Sequence, residues 1–592
     1  MTSPVLGIES SVTGRRWLHK GAPASRDIVE KMATELGVPL SVARMMNTRG
    51  ITLDKAPTFL QPTIKDLMPN PSDLLDMDAA SERLADAVQA GENVAVYADY
   101  DVDGACSGAL MTMLLRELGA NVIHYIPDRL TEGYGPNPKA IGGLVDRGIT
   151  LIVCVDCGIM AHEALAVAKG RADVVILDHH KLEGDAPEVR AAVNPNRPDC
   201  PSGLTYLCAA GVSFIAAVGL RRELRRRGFF ANRPEPDLMK MLDMVALATV
   251  CDVVPLVGIN RAFVQQGLKV LSQRERPGLT ALMDVGGLKG MPSSHTLGFM
   301  LGPRINAGGR ISEADLGLKL ILENSPQEAM DMAERLDSVN RTRQEVEAGV
   351  LEEAMDQAAR QKQDGNAVLV LAGEGWHPGV VGIVAGRVRE RFNRPVCVAG
   401  VIGGVGKGSG RSVPGIDLCS SIIAAKKHGI ILTGGGHAMA AGFSVEVERV
   451  REFQDFLNDR MSAALQLPDA PDVYIEEVMH VGAATIDLTE KMGRMAPFGM
   501  GNDEPVVAIR EARVVKARRI GKEGTTVQSF LEGSDGRTIK AICFRAKEGP
   551  LAELLLNEQG PDISVAGYIR SDTWKGKTSV DLHVVDAAIL PG

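Results

Sequence analysis

Chemistry-bearing residues gather first in Val94-Ala-Val-Tyr-Ala-Asp-Tyr-Asp-Val-Asp-Gly-Ala-Cys-Ser-Gly108, where a short apolar run delivers Asp99, Asp101 and Asp103 on alternate positions. Alternate residues of an extended chain share a face. Three carboxylates so placed repel one another unless a cation lies among them. An Asp-rich turn capping the following helix explains the same letters, and this stretch alone leaves both readings open. Three further apolar segments end alike: Leu151–Val155 in Asp156-Cys-Gly158, Val174–Leu177 in Asp178-His179-His180, and Met244–Val250 in Cys251-Asp252. Four strand ends supplying Asp, Asp, Asp-His-His and Asp are hard to explain as four separate caps. Mixed carboxylate and imidazole ligands suit Mn²⁺ or Mg²⁺, and their number makes room for two ions.

The elements that must position these residues are legible as alternating helices and strands. Residues 76–324 read as helix Ala79–Ala90, strand Val94–Ala98, helix Gly104–Leu118, strand Asn121–Ile126, helix Lys139–Arg147, strand Leu151–Val155, helix His162–Lys169 and strand Val174–Leu177. Near-continuous Val/Ile runs between helices predict a parallel sheet covered on both faces, with functional groups beyond the strands' carboxyl ends. Residues 1–75 read as a helical lead-in carrying no chemistry. Ser325-Pro-Gln-Glu328 is a capping box with Pro at the first helical position, opening one connecting helix over 325–365. Residues 366–465 read as a second, smaller α/β domain. Short β-segments with Gly/Asp turns over 470–592 predict an OB-like β-barrel, with Pro497-Phe-Gly-Met-Gly-Asn502 leading into it.

At 592 residues the chain is too long for one core, and net charge −9 excludes a global basic field. Any nucleic-acid site must be a local patch or a metal-assisted phosphate pocket. Nine Cys without regular spacing make no disulfide framework, which points to a reducing cytoplasm. Cys154 and Cys157 have CxxC spacing but no second pair, and read as small buried residues beside Asp156. No signal pattern opens the chain and no apolar run is long enough to span a bilayer. The expectation is a soluble, cytoplasmic protein without a membrane partner.

Candidate substrate contacts lie between these motifs. Arg129 and Tyr134, in a Gly-containing loop, offer a bidentate phosphate donor and a stacking ring. The run Arg221–Arg227 reads as the solvated end of a helix. Leu301-Gly-Pro-Arg-Ile-Asn-Ala-Gly-Gly-Arg310 reads as a Gly-rich loop in which Arg304 and Arg310 bracket Asn306, two cations that a purely structural turn would not need. Three more Gly-rich loops, Gly375–Gly382, Gly406–Ser412 and Gly434–His437, read as anion nests with Lys407 and Arg411 adding charge. In the last domain Lys516, Arg518, Arg519 and Lys522 form a basic cluster. Trp574 with Lys575 and Lys577 offers a ring among cations for single strands, or a ring packed at the barrel's end.

The four ordered motifs, Asp99-Tyr-Asp101-Val-Asp103-Gly104, Asp156-Cys-Gly158, Asp178-His179-His180 and Asp252, resemble those of the DHH phosphoesterase superfamily. Within it the chain is similar to the single-strand-specific 5′→3′ DNA exonucleases, over nearly its whole length. The resemblance implies that Asp99, Asp101, Asp156, His179 and Asp252 hold two Mn²⁺ or Mg²⁺ ions, with Asp156 bridging. It implies that Asp101 and Asp156 serve catalysis, that His180 contacts the scissile phosphate or supports a ligand, and that Asp103 orients the turn. It places Ser409, Arg411, Gly435, Gly436 and His437 on a terminal 5′ phosphate, so that each cut frees a 5′-mononucleotide, in DNA repair and recombination. A single-strand-binding protein and a helicase are the implied protein partners. One position departs: some members carry a metal-binding His two residues before the first Asp, where this chain has Tyr97. Two rival readings share the motifs: a phosphodiesterase of short oligonucleotides or cyclic dinucleotides, and a non-catalytic replication scaffold.

Overall fold

The computed structural model describes residues 3–22, 25–128, 131–182, 184–311, 313–468, 470–521, 524–574 and 576–589. The chain divides into two compact units. One comprises Gln61–Arg343 with Ala496–Asp503; the other comprises Met1–Leu60, Gln344–Met495 and Glu504–Gly592.

In the first unit, five parallel strands are ordered Asn121–Tyr125, Asn93–Ala98, Leu151–Val155, Asp173–Leu177 and Ala191–Val193. Successive strand residues enter opposite cores. Val94, Val96, Ala98, Leu151, Val153 and Val155 pack with helices Met77–Ala90, Val102–Glu117 and Ala209–Arg226. Ala95, Tyr97, Ile152 and Cys154 pack on the other face with helices Pro138–Asp146 and His162–Ala166. That two-faced burial is why the strands read as continuous apolar runs.

Two expectations are corrected in this unit. Met244–Val250 belongs to a helix, Leu242–Cys251, buried at every position through Thr249; an apolar run carries no period that separates a buried helix from a buried strand. The Gly-rich stretch 301–310 is also helical, as Gly302–Ile311. Its glycines serve close packing: a Cβ at Gly302 would stand 2.4 Å from Cys251 Sγ, and one at Gly309 would stand 2.7 Å from the Tyr100 carbonyl oxygen.

In the second unit, strands Thr433–His437, Ala440–Glu446, Val405–Arg411, Val396–Ile402 and Leu369–Glu374 form one mixed sheet. Two of the expected Gly-rich loops are therefore strands, and their glycines make room for bulky neighbours. A Cβ at Gly408 would collide with the Phe443 ring at 2.2 Å, and one at Gly434 would meet Ile422 at 2.6 Å. Helix Pro326–Gln363 runs across the unit boundary. Its Ala329, Ala333 and Leu336 join the core of the first unit, and Val350, Ala354 and Ala358 that of the second.

The last domain pairs strands Val507–Ile520, Thr526–Gly533, Thr538–Cys543, Lys577–Ile589 and Ile563–Trp574 in a circuit that returns to Val507–Ile520. Thr538–Cys543 and Lys577–Ile589 run parallel, and helix Pro550–Leu556 precedes Ile563–Trp574. This is the OB-like arrangement expected. Residues 1–60 are more than a helical lead-in. Strand Trp17–His19 pairs in parallel with Val473–Ile475, and the buried Trp17 indole N–H donates to Asp586 at 2.9 Å. Conversely, the 497–502 stretch joins the first unit, where Leu256 N–H donates to the Met500 carbonyl at 2.7 Å.

Candidate metal centre

The order of the five strands reverses direction between Asn93–Ala98 and Leu151–Val155, the place where α/β sheets leave a crevice for ligands. Asp99 leaves the first of these strands and Asp156 the second. Asp101 caps helix Val102–Glu117, its Oδ1 accepting from Gly104 N–H at 3.0 Å, so capping and metal readings hold together. Gly104 is required there, because a Cβ would stand 2.2 Å from the Asp99 carbonyl oxygen. Asp156 sits in the left-handed backbone region at φ 58°, a conformation uncommon outside glycine and held by surrounding structure.

Among the described residues, three overlapping sets of side chains converge closely enough to hold a cation: Asp99, Asp101 and Asp156; Asp156, His179 and His180; and Asp103, His179 and Asp252. Asp156 is shared by two sets, as a bridging ligand would be. His179 Nε2 lies 3.4 Å from Asp156, 3.5 Å from Asp252 and 3.7 Å from Asp103. That nitrogen is buried without a hydrogen-bond partner, which is costly, while three carboxylates surround it. A divalent cation satisfies the orphaned nitrogen and the crowded acids at once, so the residues fit Mn²⁺ or Mg²⁺.

The protonation states carry the same signature. Burial, then Asp103 and Asp101, pushes Asp156 well above the usual carboxylate range. Burial and Asp101 push Asp103 up to about 7, and burial with Asp103 and Asp101 pushes Asp252 up to about 9. Burial and the neighbouring His180 push His179 down to about 4, leaving it neutral as a ligand must be. Burial opposes charge on both Asp178 and His180, yet their mutual contact wins, taking Asp178 down to about 2 and His180 up to about 9. The His180 Nδ1–Asp178 Oδ1 distance is 2.7 Å, and Asp178 also accepts from the N–H groups of Ile159, His179 and His180. Asp178 is thus the orienting carboxylate behind the histidine pair.

Some roles differ from expectation. Asp103 accepts from Ala209 N–H at 2.6 Å and Ala210 N–H at 2.8 Å, capping helix Ala209–Arg226. It therefore orients more than its own turn, and it stands within one cation-holding set. Tyr97 points into the opposite core, stacked on Tyr125 and donating to the Gly135 carbonyl at 3.0 Å. Tyr134, 53% exposed, meets His180 edge-on, and its hydroxyl donates to the Asp156 carbonyl at 3.2 Å. Sequence reasoning missed Asn194 and Asn196, whose amides donate to the carbonyls of His180 and His179 at 2.8 and 2.5 Å.

Asn306 Oδ1 accepts from Val102 N–H at 3.1 Å, so it holds the first motif's loop. Arg304 is engaged by Asp337 at 2.8 Å and by the Met300 carbonyl at 2.7 Å. Arg310 lies half-buried on the same helix. The arginines of 221–227 pair with acids, among them Arg222 with Asp78, Arg225 with Glu235 and Arg227 with Asp86, as a solvated helix end would.

In the second unit, register places Ser409, Gly442 and Gly435 in one row, and Arg411, Ala440 and His437 in another on the same face. Arg411 Nη1 donates to Ser409 Oγ at 2.8 Å, and Gly382, at the start of helix Val381–Phe392, lies against both side chains. Burial and the nearby Arg389 lower the Arg411 pKa. Gly436 sits at φ 145°, where a Cβ would meet the Ala440 carbonyl. On the last domain Lys516 and Arg518 are exposed on one strand, and Arg519 donates to the Ala546 carbonyl. Arg129, Lys522, Lys575 and the side chain of Trp574 lie outside the described residues. Cys154 and Cys157 are buried free thiols, and no helix among the described residues is long and apolar enough to cross a membrane.

Fold and site together define the class of DHH proteins. The model of the DHH family, N-terminal domain, matches residues 93–249, the DHHA1 domain matches 364–463, and the RecJ OB domain matches 475–586. The chain is 34% identical to the single-stranded-DNA-specific exonuclease RecJ of Bacillus subtilis over 95% of its own length and 70% of the relative's. It is likewise 34% identical to that of Escherichia coli K12, covering 88% and 91%. The crystal structure of Thermus thermophilus RecJ in complex with Mn²⁺ superposes with a TM-score of 0.80 at 27% identity, covering 96% of this chain and 79% of that one. The chain belongs to the RecJ family.

Proposed function

We propose that this protein is a metal-dependent exonuclease that hydrolyses single-stranded DNA from its 5′ end to 5′-mononucleotides. The observation that carries the reading is the orphaned His179 Nε2 among Asp103, Asp156 and Asp252, continuous through Asp156 with Asp99 and Asp101. These groups would hold two Mn²⁺ or Mg²⁺ ions, which when bound supply an activated water nucleophile and neutralise charge on the phosphate. Asp156 contributes to both positions. His180, cationic beside Asp178, attracts the scissile phosphate and is held in place by Asp178 and Asn194.

The Ser409–Arg411–His437 face is read as the terminal 5′-phosphate site, with the backbone of Gly435 and Gly436 beside it. Arg310 is read as a phosphate contact, as is Arg129. The OB-like domain, with Arg518, Arg519, Trp574 and Lys575, is read as the holder of the incoming strand. The activity fits DNA repair and recombination in the cytoplasm, where free thiols such as Cys154 and Cys157 persist. A helicase that supplies unwound strand and a single-strand-binding protein that coats it are the fitting partners. A small-substrate phosphodiesterase needs no OB-like domain, and a scaffold needs no complete ligand set.

Strands labelled at either end test the proposal. Label should leave the 5′ end first, and Asp156→Ala should abolish release while binding Mn²⁺ weakly. Retained cleavage in Asp156→Ala would sink the site; release of the 3′ label first would sink the polarity. Arg411→Ala should erase the preference for a 5′-phosphorylated over a 5′-hydroxyl strand.

A further inference from the structure

Helix Leu242–Cys251 delivers Asp252 at its end in ordinary right-handed geometry, at φ −76° and ψ −1°. The next residue, Val253, turns left-handed at φ 57°. Helices commonly end on such a residue, and glycine usually fills the place. A β-branched side chain there is a strained exception. Val253 gains little from packing in return, being 62% exposed. Strain of this kind persists where surrounding contacts impose it, and it gathers at functional sites.

The contacts that impose it come from far along the chain. Within the first unit, Pro497-Phe-Gly-Met-Gly-Asn502 lies as a strap against the segment that follows Val253. The Met500 carbonyl accepts from the N–H of the buried Leu256 at 2.7 Å. A Cβ at Gly499 would stand 2.8 Å from Leu256 Cδ1, and one at Gly501 would stand 3.1 Å from Pro255 Cβ. Both glycines therefore let the strap close on Pro255 and Leu256. The strap is stiff in itself. Gly499 and Asn502 exchange backbone hydrogen bonds of 3.0 Å, and the Asn502 amide donates to the Pro497 carbonyl at 2.7 Å. Its leading end is held by the buried Arg261, whose Nη2 donates to the Ala496 carbonyl at 3.1 Å. The neighbouring Asn260 donates to the Pro255 carbonyl at 3.0 Å. Val253 is thus caught between the end of one helix and a fixed Pro255–Leu256 pair.

We infer that the 497–502 strap is a positioning element for the metal ligand Asp252, which it acts on by holding Val253 left-handed. The inference rests on the metal-dependent reading and deepens it. The strap carries no carboxylate or imidazole of its own, so its effect on the ion passes through Asp252. Released, Val253 returns toward the backbone regions that a β-branched residue prefers. That turn rotates the peptide bearing Asp252 and draws its carboxylate away from His179 Nε2, now 3.5 Å distant.

The test titrates Mn²⁺ calorimetrically into the full chain without DNA, with thermal unfolding of each metal-free variant as a check on folding. Gly501→Val wedges the strap off Pro255 and should weaken Mn²⁺ binding by roughly ten- to a hundredfold. Gly501→Ala should weaken it less, and carries the comparison if the valine variant does not fold. Gly287→Val sets the same left-handed strain, at φ 75°, in open space of the same unit, and should bind as wild type does. Val253→Gly makes the left-handed turn free of strain, so it should restore most of the affinity lost in Gly501→Val when the two are combined. Wild-type affinity in both Gly501 variants, an equal loss in Gly287→Val, or no recovery in the double variant overturns the strap. Wild type that binds no Mn²⁺ overturns the metal centre and the strap together. Wild type that binds Mn²⁺ yet releases no label from single strands overturns the nuclease reading alone.

Discussion

Asp156 shows how much one residue can be asked to do: it ends a strand, holds a left-handed backbone angle and stands in two of the three cation-holding sets. Its position, with Asp99, Asp101, His179 and Asp252, was legible because four segment ends carried the same residue types. The second role of Asp103 was not, because a carboxylate that caps a distant helix at Ala209 leaves no local pattern. Nor was the retreat of Tyr97 into the opposite core, which depends on the Gly135 carbonyl 38 residues away. The raised carboxylates give a signed pH dependence. Asp103 at about 7 and Asp252 at about 9 hold protons in the folded, metal-free protein that the unfolded chain releases near 4. Folding binds more protons in that window, so these groups destabilise the metal-free protein increasingly as pH rises toward their folded values. A cation replaces the protons, so its affinity climbs over the same range. Thermal unfolding with and without Mn²⁺ between pH 6 and 9 should show a stabilising increment that grows with pH, and calorimetric titration should show proton release on binding. An increment independent of pH would remove Asp103 and Asp252 from the centre.

At the scale of elements, the parallel strands and the long helix Pro326–Gln363 were read nearly to their ends, since period and capping signals were strong. Elements rich in glycine were misread. Gly302–Ile311, Val405–Arg411 and Thr433–His437 look like loops in one dimension, yet their glycines admit neighbouring atoms that only the fold brings near. Gly309 is the informative case. Its helix presses on the Tyr100 carbonyl, between Asp99 and Asp101, while Asn306 on the same helix accepts from Val102 N–H. Gly309→Ala forces a Cβ to 2.7 Å from that oxygen, and overpacking of this kind typically costs about 1–3 kcal/mol. The displaced backbone is the one that carries Asp99 and Asp101. Gly309→Ala should therefore weaken Mn²⁺ binding and lower kcat at least tenfold, with a modest fall in melting temperature. Gly365→Ala, at φ 80° with open space around it, controls for backbone strain without contact and should leave Mn²⁺ affinity unchanged. Equal Mn²⁺ affinity for wild type and Gly309→Ala would show that this helix does not position the first motif.

For the whole molecule, domain order along the chain is a poor guide to which segments fold together. Residues 1–60 pack with the C-terminal segments through Trp17, Asp586 and the pairing of Trp17–His19 with Val473–Ile475, and 496–503 packs with the catalytic unit. Pairings across more than 450 residues leave no trace in local periodicity. Trp17→Ala should cost about 3–5 kcal/mol in the unit that contains it, seen as a lowered denaturant midpoint, while Mn²⁺ affinity stays at the wild-type value; a parallel loss of affinity would show that the two units are not energetically separate. The same wiring makes deletion of 470–592 a poor test of strand binding, because it would strip Trp17 of its partners. Surface charge is a cleaner probe. Lys516 and Arg518 project from one face of strand Val507–Ile520, with the half-buried Phe530 directly across from Lys516. A ring beside exposed cations is what a strand of nucleotides meets on such domains. Each phosphate contact contributes a slope of about 0.7 to the logarithmic salt dependence of single-strand binding. Replacing both cations, Lys516→Gln with Arg518→Gln, should therefore flatten that slope by about 1.4 and raise KM for a 40-mer severalfold. Cleavage of a trinucleotide, too short to need the second holding surface, should continue at the wild-type rate. An unchanged slope, or an equal loss on the trinucleotide, would move the strand's path off this face of the domain.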